Sequence, residues 1–259
     1  MWEVYDELIS AVPPDLTISE CTIGMFWTLV RSRTVGVAMT PPEGRTKTGL
    51  AGRIAGTRVL DMAERIKSWN SLEAALGLAA INSYFNAPEQ VEALCAVPLS
   101  AQPKANAFEY LRDAVRGKRV AVIGRFPELQ LLASVCELSV LERRPKAGDY
   151  PDPACEYILP EQDFVFLTAT TLINKTFPRL MELSKKARTI LVGPSTPLAP
   201  ILYRYGIEVL AGTVVVDPAR VWRVVQEGGC QEIFECGGQM IKISREEVRD
   251  ATAEQTSGR

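Results

Sequence analysis

From Lys118 onward the chain repeats one pattern: a short apolar run, a polar turn, then a stretch that reads as helix. The runs are RVAVIG, LSVLE, DFVFLTAT, RTILVG and IEVLAGTVVV. None alternates apolar with polar residues, and β-branched residues are frequent in them. A strand with one wet face would alternate, whereas a strand covered on both faces does not. Strands covered on both faces need helices on both faces, which is the architecture of a doubly wound, Rossmann-like α/β sheet.

The prolines punctuate this pattern. Pro127, Pro178, Pro197 and Pro218 each stand where a helix should begin, because the first helical turn does not need their missing N–H. Thr196 and Asp217 are N-cap types for two of these helices, and Gly206 and Gly228 fall where the same two should end. Within LVGPSTPLAP (191–200), Pro200 would cost a hydrogen bond inside a helix, so that helix is expected to start later than Pro197.

The first hundred residues are different in kind. MWEVYDELISAV reads as an amphipathic helix rather than a signal peptide, and Pro13-Pro14 ends it. LTISECTIGMFWTLVRS is either one long strand or a hairpin partner of TVGVAMT. PPEGRTKTG is a polar loop carrying Arg45 and Lys47. Two helices follow, VLDMAERIKS and SLEAALGLAAINSYF, the second with Leu72, Ala75, Leu76, Ala79, Ala80 and Tyr84 on one side. Asn70 or Ser71 is its natural N-cap, and Asn82 a helix-packing hydrogen bonder. The segment broken by Pro88, Pro98 and Pro103 is the candidate connection between domains. The expected division is an α+β domain over 1–100, a parallel-sheet domain over 101–245 and a polar tail over 246–259.

The strongest exclusion is the absence of histidine from all 259 residues. It removes the Ser-His-Asp triad, the Cys-His pair and every imidazole metal site. The six cysteines include no C-x-x-C pair, so zinc-ribbon spacing is absent as well. Cys230 and Cys236 are spaced to share one face of a strand, though burial is the ordinary role of such thiols. A net charge of −2 gives no electrostatic case for nucleic acid or an acidic membrane. No apolar stretch is long enough to span a bilayer, and the expectation is a cytoplasmic protein.

Ligands of open parallel sheets bind at the carboxyl ends of the strands. Four loops should converge there. The first, Gly124-Arg125-Phe126-Pro127, lacks the G-x-G-x-x-G of dinucleotide sites. Glu142 nonetheless ends the next run, 18 residues on, about where an acid grips a ribose. After Glu142, RRPKAGDYPDP reads as a solvated loop able to cover a cleft. The third loop offers Thr168, Thr170, Thr171, Asn174 and Lys175, donors and one cation suited to a carboxylate or phosphate. The fourth, Gly193-Pro194-Ser195-Thr196, repeats that logic without Walker spacing. Helix capping and solvated side chains are the structural alternative for both.

Several long stretches carry a resemblance: SWNSLEAALGLAAINSYFN, GKRVAVIGRFP, LERRPKAGDYPDPACEYILPEQDFVFLTATTLINKTFPRLMELSKKA and ILVGPSTPLAPILYRYGIEVLAGTVVVD. They resemble a prokaryotic family named for heavy-metal chelation, over nearly the whole chain up to about residue 245. The resemblance implies an N-terminal domain similar to that of enolase, a Rossmann-like C-terminal domain and a site in the cleft between them. It does not imply enolase chemistry, which resides in a barrel absent here. Lacking histidine, a protein-only transition-metal site would need Cys, Asp and Glu alone. The expected ligand is therefore a small anionic or metal-chelating molecule, one that itself carries any metal. Thr170, Thr171, Asn174, Lys175, Gly193, Ser195 and Thr196 would hold its anion, and Gly124, Arg125, Phe126 and Glu142 its other end. The alternatives are a transferase or lyase acting on a chelator precursor with an adenosine-type cofactor, or a non-catalytic partner of a metal transporter. A homodimer through the N-terminal sheet is a further expectation.

Overall fold

The computed structural model describes residues 2–42, 47–103 and 106–248. Arg45 and the tail from 249 onward lie outside the described residues. The opening helix α1 (Glu3–Ser10) turns Val4, Tyr5, Leu8 and Ile9 inward and ends before the proline pair. The β-branched stretch beyond it is two strands, β1 (Glu20–Ile23) and β2 (Trp27–Arg31), and β3 (Val35–Met39) completes an antiparallel meander in the order β1-β2-β3.

Helix α2 (Val59–Ala63) tightens into a 3-10 turn at Glu64–Lys67 and leads to α3 (Ser71–Phe85). Asn70 caps α3, its side chain accepting from the N–H groups of Leu72 and Glu73. The expected one-sided stripe is an underestimate: every residue from Ala74 to Ser83 is buried, as in a helix surrounded by protein. Small side chains permit this. At Gly36 on β3, a Cβ would lie 2.0 Å from the Ala79 carbonyl oxygen of α3, so strand and helix meet backbone to backbone. The proline-punctuated connection holds a helix of its own, α4 (Pro88–Cys95).

The C-terminal half is built from α5 (Ala107–Tyr110), β4 (Arg119–Ile123), α6 (Gln130–Ala133), β5 (Glu137–Glu142), β6 (Tyr150–Pro151) and α7 (Cys155–Ile158). It continues with β7 (Phe164–Thr168), α8 (Thr170–Ile173), α9 (Phe177–Leu183), β8 (Arg188–Val192), β9 (Ile207–Val215), α10 (Pro218–Gln226) and β10 (Gly238–Ser244). Seven strands form one sheet in the order β10-β9-β8-β7-β4-β5-β6. All neighbours are parallel except β10, which runs antiparallel to β9. The five apolar runs of the sequence are five of these strands, and the mixed α/β class is as expected.

Four local readings need correction. Strand β10 escapes a search for apolar runs because Lys242 interrupts it; the lysine is buried whole, and its Nζ donates to the Pro103 carbonyl at 2.6 Å. Cys230 and Cys236 flank a 3-10 turn (Gln231–Ile233), not a shared strand. The loop after Glu142 contributes the short edge strand β6. The helix after β8 does start later than Pro197, as Pro200 requires, but it is a 3-10 segment beginning at Pro200 itself, so the expected cap at Thr196 does not form. The cap at Asp217 does form, accepting from the Arg220 N–H at 3.1 Å, with Pro218 next. Gly206 ends the 3-10 segment in the left-handed region.

Two asparagines of α3 and its end join the halves. Asn82 Nδ2 donates to the carbonyls of Val37 (2.8 Å) and Ser195 (2.9 Å). Asn86 Nδ2 donates to those of Thr196 (3.0 Å) and Thr213 (3.1 Å), while its Oδ1 accepts from the Leu198 N–H at 2.9 Å. One apolar cluster runs across the same junction, from Leu8 and Leu76 to Leu167, Leu191 and Leu210.

Candidate functional site

From β4 the chain moves outward through β5 to β6, then crosses back to place β7 on the other side of β4. The strand order thus reverses between β4 and β7, and a crevice opens at their carboxyl ends. The loops that meet there are those that follow β4, β7 and β8.

Gly124 and Gly193 both take left-handed backbone, with φ of +93° and +111°. The ring of Phe126 lies over both glycines, within 3.8 Å of where either Cβ would stand, and packs edge-on against Phe108 with centroids 5.2 Å apart. Phe126 is therefore anchored in the core on one side of the sheet. Arg125 turns outward and pairs with Asp149, whose side chain is only 3% exposed. Thr168 and Thr170 are half-buried, and their hydroxyls lie 3.1 Å apart. The remaining hydroxyl of this loop faces inward: Thr171 Oγ1 donates to the Thr168 carbonyl at 2.7 Å.

Asn174 and Lys175 close the short helix α8. Asn174 Oδ1 accepts from the N–H (3.0 Å) and hydroxyl (2.6 Å) of Thr176, so its carbonyl group is committed to the turn. Lys175 is a non-glycine residue at φ +66°. Its ammonium donates to the carbonyls of Ser68 and Ile173 and sits 5.8 Å from the ring centre of the exposed Trp69. Partial burial pulls the amine down to about 8, because a buried ammonium loses hydration.

The loop after β8 serves the junction. Ser195 and Thr196 are buried; Ser195 Oγ accepts from the Met39 N–H at 2.8 Å, and their carbonyls receive the amides of Asn82 and Asn86. Gly193 and Pro194 remain half-buried at the crevice. The structure therefore brings Gly124, Phe126, Thr168, Thr170 and Gly193 together, and turns Thr171, Ser195 and Thr196 into the protein.

A second feature lies beside the crevice. At the ends of β4 and β5, Arg125, Phe126, Pro127, Glu142, Arg144 and Lys146 line a cleft of about 390 Å³. Glu142 Oε1 accepts from the N–H groups of Arg143 (2.7 Å) and Arg144 (3.4 Å). The loop of Arg144 and Lys146, expected to be solvated and able to cover a cleft, is exposed and does line one; β6, a pairing of two residues with no apolar signature, places it there. A cavity of about 430 Å³ near Met181 and Tyr205 opens beside Gly206, at the opposite edge where β9 begins. Asn86 carried no signal either, since only the fold reveals what its amide meets.

The donors do not fit a bare transition-metal ion. Among the described residues no group of three or more Cys, Asp and Glu converges. Burial pushes the thiols of Cys21 and Cys95 up to about 11 and that of Cys155 up to about 12, away from the thiolate that binds metal. Among the described residues no helix is long and apolar enough to cross a membrane.

Residues 106–243 match the DUF364 family model and residues 5–85 the DUF4213 model, each described as "Putative heavy-metal chelation". A crystal structure of a DUF364-family protein of unknown function from Desulfitobacterium hafniense is 39% identical, covers 95% of this chain and 99% of its own, and superposes with a TM-score of 0.86. Another from Pyrococcus horikoshii, 24% identical over 93% of this chain and 98% of its own with a TM-score of 0.76, shares the fold. An uncharacterized protein of Methanocaldococcus jannaschii is 33% identical over 163 residues, 58% of each chain, so the match spans less than two thirds of that relative's length.

Proposed function

The chain belongs to the DUF364 family, and from that premise we propose that it holds a small anionic, metal-chelating molecule at the carboxyl edge of its parallel sheet. The metal is cargo, carried inside the ligand. The observation that carries this reading is the pair of half-buried threonines, Thr168 and Thr170, whose hydroxyls lie 3.1 Å apart where the strand order reverses. The two hydroxyls hydrogen-bond to each other, and on giving up that bond each can donate its one proton to an oxygen of the same carboxylate. The unclustered donors and protonated thiols support a ligand that brings its own coordination sphere.

Native mass spectrometry of freshly purified protein, compared with its denatured mass, tests this directly. Retention of an organic mass with a metal isotope pattern is the expected result. Equilibrium dialysis then compares nickel(II) alone with nickel(II) citrate, and Thr168→Val/Thr170→Val should retain at least tenfold less of the chelate. A metal held without any organic mass, or unchanged retention by the double variant, overturns the reading.

A further inference from the structure

We propose that the cleft at the ends of β4 and β5 is a mononucleotide subsite. The phosphorylated ribose is held between Glu142 and the side chains of Arg144 and Lys146, with the base against Phe126 and Pro127. This inference does not rest on the chelate reading, because the hydroxyl pair of Thr168 and Thr170 takes no part in it.

Position is the first argument. With β4 and β5 as the first two strands of the sheet and β7 next to β4 on the other side, the cleft occupies the half of a doubly wound sheet where a nucleoside sits. In such sheets the acid that ends the second strand meets a ribose hydroxyl, or a nearby cation accommodates a ribose phosphate. Glu142 ends β5, and Arg144 follows two residues later.

Chemistry and shape are the second. The lining combines an aromatic ring, a proline, one carboxylate and three cations, of which Arg125 pairs with Asp149, and these are the partners of a base, a ribose and a phosphate. Its volume of about 390 Å³ is in the range of small-ligand sites. The two walls are also tied to each other. Asp149 pairs with Arg125 from the first loop and accepts the Lys146 N–H at 2.9 Å from the second, from a side chain that is almost fully buried. Glu142 is likewise held by the amides of its own loop.

Phe126 limits the size of the ligand. Its ring covers Gly124 and Gly193 and is locked against Phe108, so it occupies the crevice through which a dinucleotide's pyrophosphate would pass. The turn has no second glycine to let a pyrophosphate approach the backbone. A mononucleotide fits on the near side of that ring.

Calorimetric titration of the full chain tests the subsite, using adenosine 2′-phosphate, adenosine 5′-phosphate, adenosine and inorganic phosphate as probes. At least one mononucleotide should bind tenfold or more tightly than both adenosine and phosphate. Arg144→Gln/Lys146→Gln should weaken it at least tenfold, with circular dichroism confirming that the variant is folded. Thr168→Val/Thr170→Val should leave it unchanged, which separates this test from that of the chelate. Phosphate binding as tightly as either nucleotide means a simple anion site and overturns the proposal. So does the absence of nucleotide binding, or affinity indifferent to the Arg144 and Lys146 substitutions.

Discussion

Gly124 and Thr168 meet across the reversal of strand order: a Cβ on Gly124 would lie 3.0 Å from Thr168 Cγ2 and 3.2 Å from Thr168 Cβ. At φ +93° an L-residue is strained as well as crowded. Gly124→Ala should cost about 2–3 kcal/mol, summing the left-handed penalty and the contact. Thr168→Ser deletes Cγ2, so the double variant should recover about 0.5–1 kcal/mol of that loss. Urea denaturation of the four proteins of this cycle measures the coupling, and strict additivity would count against the contact.

Asn86 is the polar bolt of the junction. Asn86→Ala leaves the Thr196 and Thr213 carbonyls and the Leu198 N–H without their side-chain partner in a buried place. The expected loss is about 3–5 kcal/mol, from several groups each costing about 1–3 kcal/mol when buried and unpaired. Asn86→Asp should be nearly as harmful at neutral pH, because a carboxylate cannot donate to either carbonyl. Chemical denaturation decides, and a loss below about 1 kcal/mol would contradict the role given to the amide.

Lys175 should give stability a signature in alkaline solution. Its amine, lowered to about 8 by burial against 10.5 for an exposed lysine, releases its proton first in the folded protein. Between those values the unfolded chain holds more protons, so this group's contribution to stability rises with pH. Buried thiols and tyrosines with raised values act in the opposite direction over the same range. The comparison is therefore wild type against Lys175→Met, whose difference should shift in favour of wild type as pH goes from 8 to 10.5. A difference independent of pH would refute the assignment.

Cys21, Cys95 and Cys155 should resist alkylation in the native protein. Their thiols are pushed up by burial, to about 11, about 11 and about 12, and only the thiolate reacts. Iodoacetamide at pH 8 followed by peptide mass mapping should leave these three unmodified until denaturant is added. Prompt labelling of Cys155 in native buffer would contradict its burial.

The sheet was legible because its strands need cover on both faces, and that need writes itself into the residues: RVAVI, FVFLT and RTILV have no wet side. The caps at Asn70 and Asp217 were legible for the same local reason, since a side-chain oxygen satisfies N–H groups two or three residues away. Strand β10 was not, because Lys242 is buried with its ammonium donating to the distant Pro103 carbonyl, which a run of residue types cannot express.

Sequence alone also determined what chemistry is barred, since no fold can supply an imidazole that the chain lacks. What only the tertiary structure decided is the direction in which each polar group of the strand-end loops points. Thr170 and Thr171 are neighbours of similar type, yet one hydroxyl meets Thr168 at the crevice and the other is spent on a backbone carbonyl. Ser195 and Thr196, read as ligand hydroxyls, lie beneath α3 because Asn82 and Asn86 reach them from more than a hundred residues away. Residue type and spacing determine local geometry. Which groups are left facing a ligand depends on what the rest of the chain has already covered, and that is a property of contacts between distant segments.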